Sequence, residues 1–414
     1  LSPSSAASDV YKRQYGIRAL GGNELVLKDC IIEGNGGSGI YWKVSGTHNV
    51  TVENSIIRNN KGEGIQIYSA DNATIRNNLV VNNSDDGIYI IYTSNATIRD
   101  NLVVNNSRGI WIQESKAVME NNTVEDARST GIFIDRSTAM LTNITINSTG
   151  GNGLEISSCN KVTLNSPLII ENAGNRGIYA WYSNLNLNLN NSTIRNSKSD
   201  GICVYPYGGN ELVLKDCIIE GNGGSGIIYW PVSGTHNVTV EGSIIRGNKG
   251  KGIRIGNAYN ATIKDNLVVN NSDDGIYISA SNNTILNNTV NSNEYGIKIY
   301  SGHSYIINNI IANNSEYGIY LSGSSSGNYI YYNSFIENRN GNVQAYDSST
   351  NSQWNSTNRG NYWSDYTTRY PSATNDGIVW DTPYVIDGYT GAKDNFPLVH
   401  PVTATIVFIF RITP

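Results

Sequence analysis

The dipeptide Gly-Ile, or a close variant, returns roughly every 22 to 26 residues from Gly16-Ile17 to Gly318-Ile319. A fixed period in that range marks a stack of repeating units. Each of these glycines is followed by Ile or, once, by Leu154, and an apolar residue usually comes two positions later, as in Ile88-Tyr89-Ile90, Ile110-Trp111-Ile112 and Ile132-Phe133-Ile134. That alternation belongs to a strand with one side chain in and the next out. Between Gly87 and Arg108 one unit reads as three short strands, Ile88 to Ile90, Thr97-Ile98 and Leu102 to Val104, with a turn at Thr93-Ser94-Asn95 and a tight corner at Asp100-Asn101. Such short strands, with no helical stretch between them, can satisfy their backbone groups only by pairing with the coil above and the coil below. The expectation is an all-β chain: a right-handed parallel β-helix (solenoid) of about 14 coils, followed by an irregular C-terminal tail segment. Leucine-rich repeats share the period, but here Ile, Val, Thr and Asn dominate and no window has helical periodicity.

A second repeat overlies the first. Gly21 to Ile90 recurs almost verbatim as Gly208 to Ile278, a shift of about eight coils, so a site in the first copy should have an echo in the second. Domain organisation follows from where the period holds: a non-native or disordered leader at 1–14, the β-helix at 15–345, the tail segment at 346–400, and an unassigned end at 401–414. A net charge of −5 with basic residues scattered singly lacks the Lys/Arg clusters that phosphate binding requires, so no nucleic-acid partner is expected. The longest apolar run, Ala404 to Phe410, is far below the ~18 residues of a membrane span. Cys30 and Cys217 occupy the same place in the two copies, about 40 Å apart at ~4.8 Å per coil, too far to pair. Cys203 and Cys217 share a coil and could approach, but buried free thiols are the preferred reading.

Three sets of residues carry candidate chemistry. The residue two after each Gly points outward, and Tyr89, Trp111, Phe133, Glu155 and Tyr179 form a row at ~4.8 Å pitch on which sugar rings could stack. The competing reading is that the rings stack on their own neighbours. Acids gather at the turns: Asp85 and Asp86, their copies Asp273 and Asp274, and Glu63, which precedes its Gly as Asp86 does on the next coil. The segment NSDDGIYI is similar to the paired-Asp coil of polygalacturonases, and inverting glycosidases need two carboxyl groups about 6.5 to 9.5 Å apart. The following coils read SRGIWI and NEYGIKI, without the Gly-His-Gly of that family, which favours turn residues making Asx hydrogen bonds. Asn78, Asn101 and Asn122, with Asn266, Asn288, Asn309 and Asn333, recur at the corner before the third strand, where amides can bond up and down the axis. Asn72, Asn95, Asn105 and Asn260 lie in glycosylation sequons.

After Asn342-Val343 the period stops, and GNYWSDY (Gly360 to Tyr366), NDGIVWDTPYVIDG (Asn375 to Gly388) and DNFPLV (Asp394 to Val399) follow. Coils with this tail closely resemble the NosD-like right-handed parallel β-helix repeat family of archaeal-type cell-surface and secreted proteins, over nearly all of residues 15 to 400. The resemblance implies an extracellular or cell-surface location, periplasmic in a bacterium, with a polysaccharide or cell-envelope glycan as partner. It also implies either a structural or carbohydrate-binding module, or a polysaccharide-cleaving enzyme of hydrolase, lyase or epimerase type, with the module preferred. Copper handling, attached to part of the family, is the weaker implication: His48 and His236 repeat in the turn SGTHNVTVE, His303 and His400 stand alone, and all four read as exposed turn residues. Family tails often carry an Asp-rich loop. The chain retains Asn375, Asp376, Asp381 and Asp387, which implies a weak calcium site, with a metal-free Asx-turn loop as the alternative.

Overall fold

The computed structural model describes residues 14–44, 48–207, 211–233 and 236–402, so residues 1–13 of the expected leader and 403–414 of the unassigned end lie outside the described residues. The architecture is an all-β, right-handed parallel β-solenoid of about 14 turns. It divides into two compact units, Leu1–Leu212 with Val232–Gly234, and Val213–Pro231 with Thr235–Pro414.

In the first unit each coil contributes one strand to a first row: Ile17–Ala19, Ile40–Lys43, Ile65–Tyr68, Ile88–Ile91, Ile110–Gln113, Ile132–Asp135, Leu154–Ser157, Ile178–Trp181 and Ile202–Tyr205. The Gly-following residues Ile88, Ile110, Ile132 and Leu154 lie in direct parallel register and are wholly buried. The second strand of the Gly87 coil is longer than its sequence suggests, Asn95–Arg99, because Asn95 already pairs with Asn72 of the coil before. In two coils the second and third strands run together as Thr138–Thr149 and Lys161–Ala173. The second unit repeats the plan with first-row strands Ile227–Tyr229, Ile253–Tyr259, Ile276–Ser281, Ile297–Ile299, Ile319–Leu321 and Ala345–Asp347.

The recurring glycine answers a demand for space. A β-carbon on Gly87 would meet Val103 Cγ1 and lie 2.7 Å from the Gly109 carbonyl oxygen, so no larger residue fits where the coil closes. The corners use asparagine in pairs. The first of each pair, such as Asn77, Asn82 or Asn121, takes a left-handed conformation with φ of 53° to 57°. The second turns inward. Asn78 Nδ2 donates to Asn101 Oδ1 at 3.0 Å and Asn101 to Asn122 at 3.0 Å, forming one ladder before the third strand. Another ladder, after the third strand, runs from Asn60 to Asn83 at 2.9 Å and Asn83 to Asn106 at 3.0 Å. Both ladders recur in the second unit, where Asn266 bonds Asn288 and Asn271 bonds Asn293. Buried amides are thereby satisfied coil to coil.

Beyond Ala345–Asp347 the chain outlasts the Gly-Ile period by completing a last coil in parallel register, through Thr350, Gln353 and Tyr362–Trp363, and then folds over the end of the second unit. Tyr362–Trp363 pairs with Ser334–Phe335, and Phe335, Trp363 and Tyr384 stack with centroids 4.2 and 4.0 Å apart. This segment covers strand groups that an open solenoid end would leave unpaired. All four cysteines are free, and burial pushes the Cys159 and Cys203 thiols up to about 11.

Candidate ligand-binding face

The register brings Tyr89, Trp111, Phe133, Glu155 and Tyr179 into one outward row, each opposite the next. The rings turn their faces to each other. Tyr89 and Trp111 stack at 3.9 Å and 5°, Trp111 and Phe133 at 5.9 Å and 17°, and the Arg108 guanidinium lies 3.7 Å from the Trp111 ring centre. Tyr89 is 9% exposed and its hydroxyl donates to Gln113 Oε1 at 2.5 Å, while Trp111 and Phe133 are half-buried. At one-coil spacing, neighbouring rings remove more apolar surface by stacking on one another than by standing free, so the row presents ring edges, not open faces. Glu155 accepts from Thr130 Oγ1 at 3.0 Å and Asn152 Nδ2 at 2.8 Å, and Arg176 sits 4.4 Å above the Tyr179 ring.

A second column runs beside this row, one residue before each Gly. Ser38 Oγ donates to Glu63 Oε2 at 2.6 Å. Arg108 forks onto the buried Asp86, Nε to Oδ1 at 2.8 Å and Nη2 to Oδ2 at 3.1 Å. Burial pushes the Asp86 carboxyl above its usual range, opposed by Arg108 and aided by the nearby Asp85 and Glu63. Asp85 itself is exposed. The turn reading of Asp86 is thus corrected: its carboxylate is the buried half of an inter-coil ion pair, because the position before Gly faces the same position on the next coil. In the second unit Lys251 Nζ lies 2.6 Å from Asp273 and 2.7 Å from Asp274, with Lys298 at 3.5 Å from Asp274. Asp273 Oδ1 also accepts the Asp274 N–H at 2.7 Å, a local Asx contact.

The internal copy does not echo the acid pair. Glu63 becomes Lys251, so two carboxyl groups meet on neighbouring coils only in the first copy. The cations Arg108, Lys251 and Lys298, absent from the candidate residues, were readable in principle. They occupy the positions one before or two after a Gly, where a cation falls one coil from an acid at Asp86 and Arg108, at Arg176 and Asp200, and at Lys251 and Asp274.

The tail acids are engaged locally. Asn375 Oδ1 accepts the Gly377 N–H at 3.0 Å, and Asp376 Oδ1 accepts those of Ile378 and Val379 at 2.8 Å each. Asp381 accepts from Thr374 N at 3.1 Å and Thr374 Oγ1 at 2.6 Å. Asp387 turns instead to Tyr317, whose hydroxyl donates at 2.7 Å and holds that carboxyl below its usual range, and to Arg339 at 3.3 Å. Among the described residues no group of three or more His, Cys, Asp or Glu is arranged to hold a metal. Asn375 and Asp376 make the local contacts of the Asx-turn alternative. Two histidines differ from their exposed-turn reading: His48 packs edge-on to Trp42 at 6.0 Å, and His236 is buried with Nδ1 2.9 Å from the Tyr229 hydroxyl. Each turns inward because its corner is filled by an aromatic side chain. The two buried imidazoles lie apart, each beside its own aromatic side chain, and neither belongs to a group of three or more His, Cys, Asp or Glu among the described residues, the kind of donor set that would favour copper.

Parallel strands in register, asparagine ladders inside and a mixed aromatic and charged row outside define a right-handed parallel β-helix with a built outer face. The chain matches the family described as "Periplasmic copper-binding protein (NosD)" over residues 82–199 and 196–368, and it belongs to that family; a right-handed beta helix region also matches over residues 6–124. No curated protein matches it. Among solved structures it is similar to the A-module of the mannuronan C-5 epimerase AlgE6 of Azotobacter vinelandii, at 13% identity, covering 75% of this chain and 90% of that one with a TM-score of 0.48. It is also similar to the periplasmic alginate epimerase AlgG, at 12% identity over 81% of this chain and 72% of that one, TM-score 0.41. The catalytic unit of a GH87 alpha-1,3-glucanase from Streptomyces thermodiastaticus matches at 12% identity over 77% and 64%, TM-score 0.37. Among the described residues no helix is long and apolar enough to cross a membrane.

Proposed function

We propose that the protein is a β-helix module of the cell surface or periplasm that binds an extended polysaccharide along the outward first-row face of its first unit. The observation that carries this reading is the unbroken register from Tyr41 through Gln66, Tyr89, Trp111, Phe133 and Glu155 to Tyr179, one residue per coil. A linear polymer lying along that row meets ring edges and hydrogen-bonding groups at each ~4.8 Å step, on a sheet that needs no ordering to receive it. Within the neighbouring column Asp86 is offset by Arg108 and Asp200 by Arg176, while Glu63 and Glu155 are held by neutral donors. The family's description as periplasmic supports a location outside the cytoplasm.

A polysaccharide-cleaving enzyme is the second reading, favoured by the raised carboxyl of Asp86 near Glu63, a pairing that could divide acid and base roles. One experiment separates the two. Alginate, polygalacturonate, xylan and mixed-linkage glucan are tested by affinity electrophoresis, with reducing and unsaturated ends assayed in parallel. Retardation without new ends supports the module. New ends that vanish in Asp86→Asn support the enzyme, and absence of retardation by every polymer removes the binding reading.

A further inference from the structure

A different surface of the second unit has unspent hydrogen-bonding capacity. Tyr305 and Tyr329 sit opposite each other on parallel strands Tyr305–Ile307 and Tyr329–Tyr331, and Tyr329 is bridged in turn to Gln353 of the tail. The bridge is built by main-chain bonds: Gln353 N–H donates to the Asn328 carbonyl at 2.7 Å, and Ile330 N–H to the Gln353 carbonyl at 2.8 Å. By strand alternation Tyr331 lies in the next outward column, where Asn355 continues it on the tail. An open groove of about 570 Å³ follows, lined by these three tyrosines, Gln353 and residues 355–357, within the ~300 to 1,000 Å³ range of small-ligand sites.

The lining is aromatic, amide and hydroxyl, without a charged side chain. Tyr305 and Tyr329 stack at 5.1 Å and 8°, which aligns their edges and hydroxyls along the groove. Tyr305 is 47% exposed and Gln353 is exposed. The three tyrosine hydroxyls and the Gln353 amide make no hydrogen bond to other described residues, unlike Asp86 and Glu155 on the first-row face. Asn355, by contrast, is fixed as wall: its Oδ1 accepts the Asn395 N–H at 3.0 Å.

We propose that this groove is a separate site for a short uncharged oligosaccharide, bound by ring-edge contact and hydroxyl and amide hydrogen bonds. Hydroxyl-rich, uncharged ligands match unspent neutral donors and acceptors, whereas a carboxylated sugar would find no cation to pair with. The site does not depend on polysaccharide binding by the first unit. Saturation-transfer NMR and calorimetry with cellotriose, xylotriose and maltotriose, and with trigalacturonate as charged control, test it. At least one neutral trisaccharide binds, and Tyr305→Ala and Gln353→Ala each weaken it by about tenfold, Gln353→Ala with an unchanged thermal melt and Tyr305→Ala with the modest loss that follows from its stack on Tyr329, while Trp111→Ala leaves it intact. If no neutral trisaccharide binds, if binding survives both groove variants, or if trigalacturonate binds equally well, the proposal is overturned. Loss in Trp111→Ala alone would assign the binding to the first-unit face and overturn it as well.

Discussion

At the scale of single residues, the internal duplication acts as a natural substitution series. Asn54 and Asn59 of the first copy, at φ 51° and 56°, are replaced by Gly242 and Gly247 in the second, at φ 59° and 64°. Glycine and asparagine exchange where only the left-handed backbone matters. The next residue does not exchange: Asn60 stays Asn248, because its side chain is a rung of the buried ladder. Asn59→Gly should therefore change stability by only a few tenths of a kcal/mol, whereas Asn83→Ala should cost about 2 to 4 kcal/mol. The second substitution strips the acceptor for both the Asn60 N–H and Asn60 Nδ2 and the donor to Asn106. Urea melts of the two variants check this, and equal effects would remove the ladder as a stabilising element. Ile110→Asp, which puts a charge into the wholly buried stack, should cost several kcal/mol or prevent folding. The ladder before the third strand was legible, since its asparagines recur at a recognisable corner. Asn60, Asn83 and Asn106 were not, because a doublet such as Asn82-Asn83 reads as a polar turn until one knows which member points inward.

At the scale of the strand row, spacing from the Gly-Ile motif placed Tyr89, Trp111, Phe133, Glu155 and Tyr179 on one line, and the structure pairs them so. What spacing could not supply is ring orientation, which depends on the neighbouring coil and on Arg108. That difference alters what Trp111→Ala should do. With Tyr89 stacked at 3.9 Å and Arg108 at 3.7 Å, removal of the indole costs packing as well as ligand contact. The variant should lose about 1 to 2 kcal/mol of stability and, under the proposed function, bind polysaccharide about tenfold more weakly. Phe133→Ala, at the looser 5.9 Å contact, should be milder in stability. Paired melts and affinity electrophoresis measure both effects; a Trp111→Ala protein as stable as the parent would deny the ladder its energetic role. The same limit hid the ion pairs. Asp86 was visible as an acid before Gly, but its partner Arg108 is 22 residues away and meets it only once the coils are stacked.

At the scale of the whole chain, the loss of the Gly-Ile period was plain, while the last coil that runs on through Tyr362–Trp363 and the work of the tail were not. Its contacts join residues far apart in sequence. Asp394, from DNFPLV, is wholly buried and reaches GNYWSDY: its Oδ2 accepts Asn361 N–H at 2.7 Å and Trp363 Nε1 at 3.0 Å, and its Oδ1 accepts Phe396 N–H at 3.1 Å. Gly360 leaves room for that carboxyl, since a β-carbon there would collide with it. Burial, opposed by these donors, pushes the Asp394 pKa from 3.8 up to about 6. A carboxyl raised on folding binds its proton more tightly in the native state. Its contribution to stability is therefore complete below the unfolded value and is lost as pH rises through about 6. Asp376, Asp381 and Asp387 are shifted the other way, so their contributions fade only as pH falls toward and below the ordinary carboxylate range. Between about pH 4.5 and 6.5 the Asp394 effect should dominate among these four, with a span of at most about 3 kcal/mol. Asp394→Asn, of the same shape but without a titrating proton, should melt lower at acid pH and lose the decline of stability over that window. Thermal melts of parent and variant across the range decide it: if the variant keeps the parent's slope, Asp394 does not titrate there and the buried carboxyl is ionised throughout.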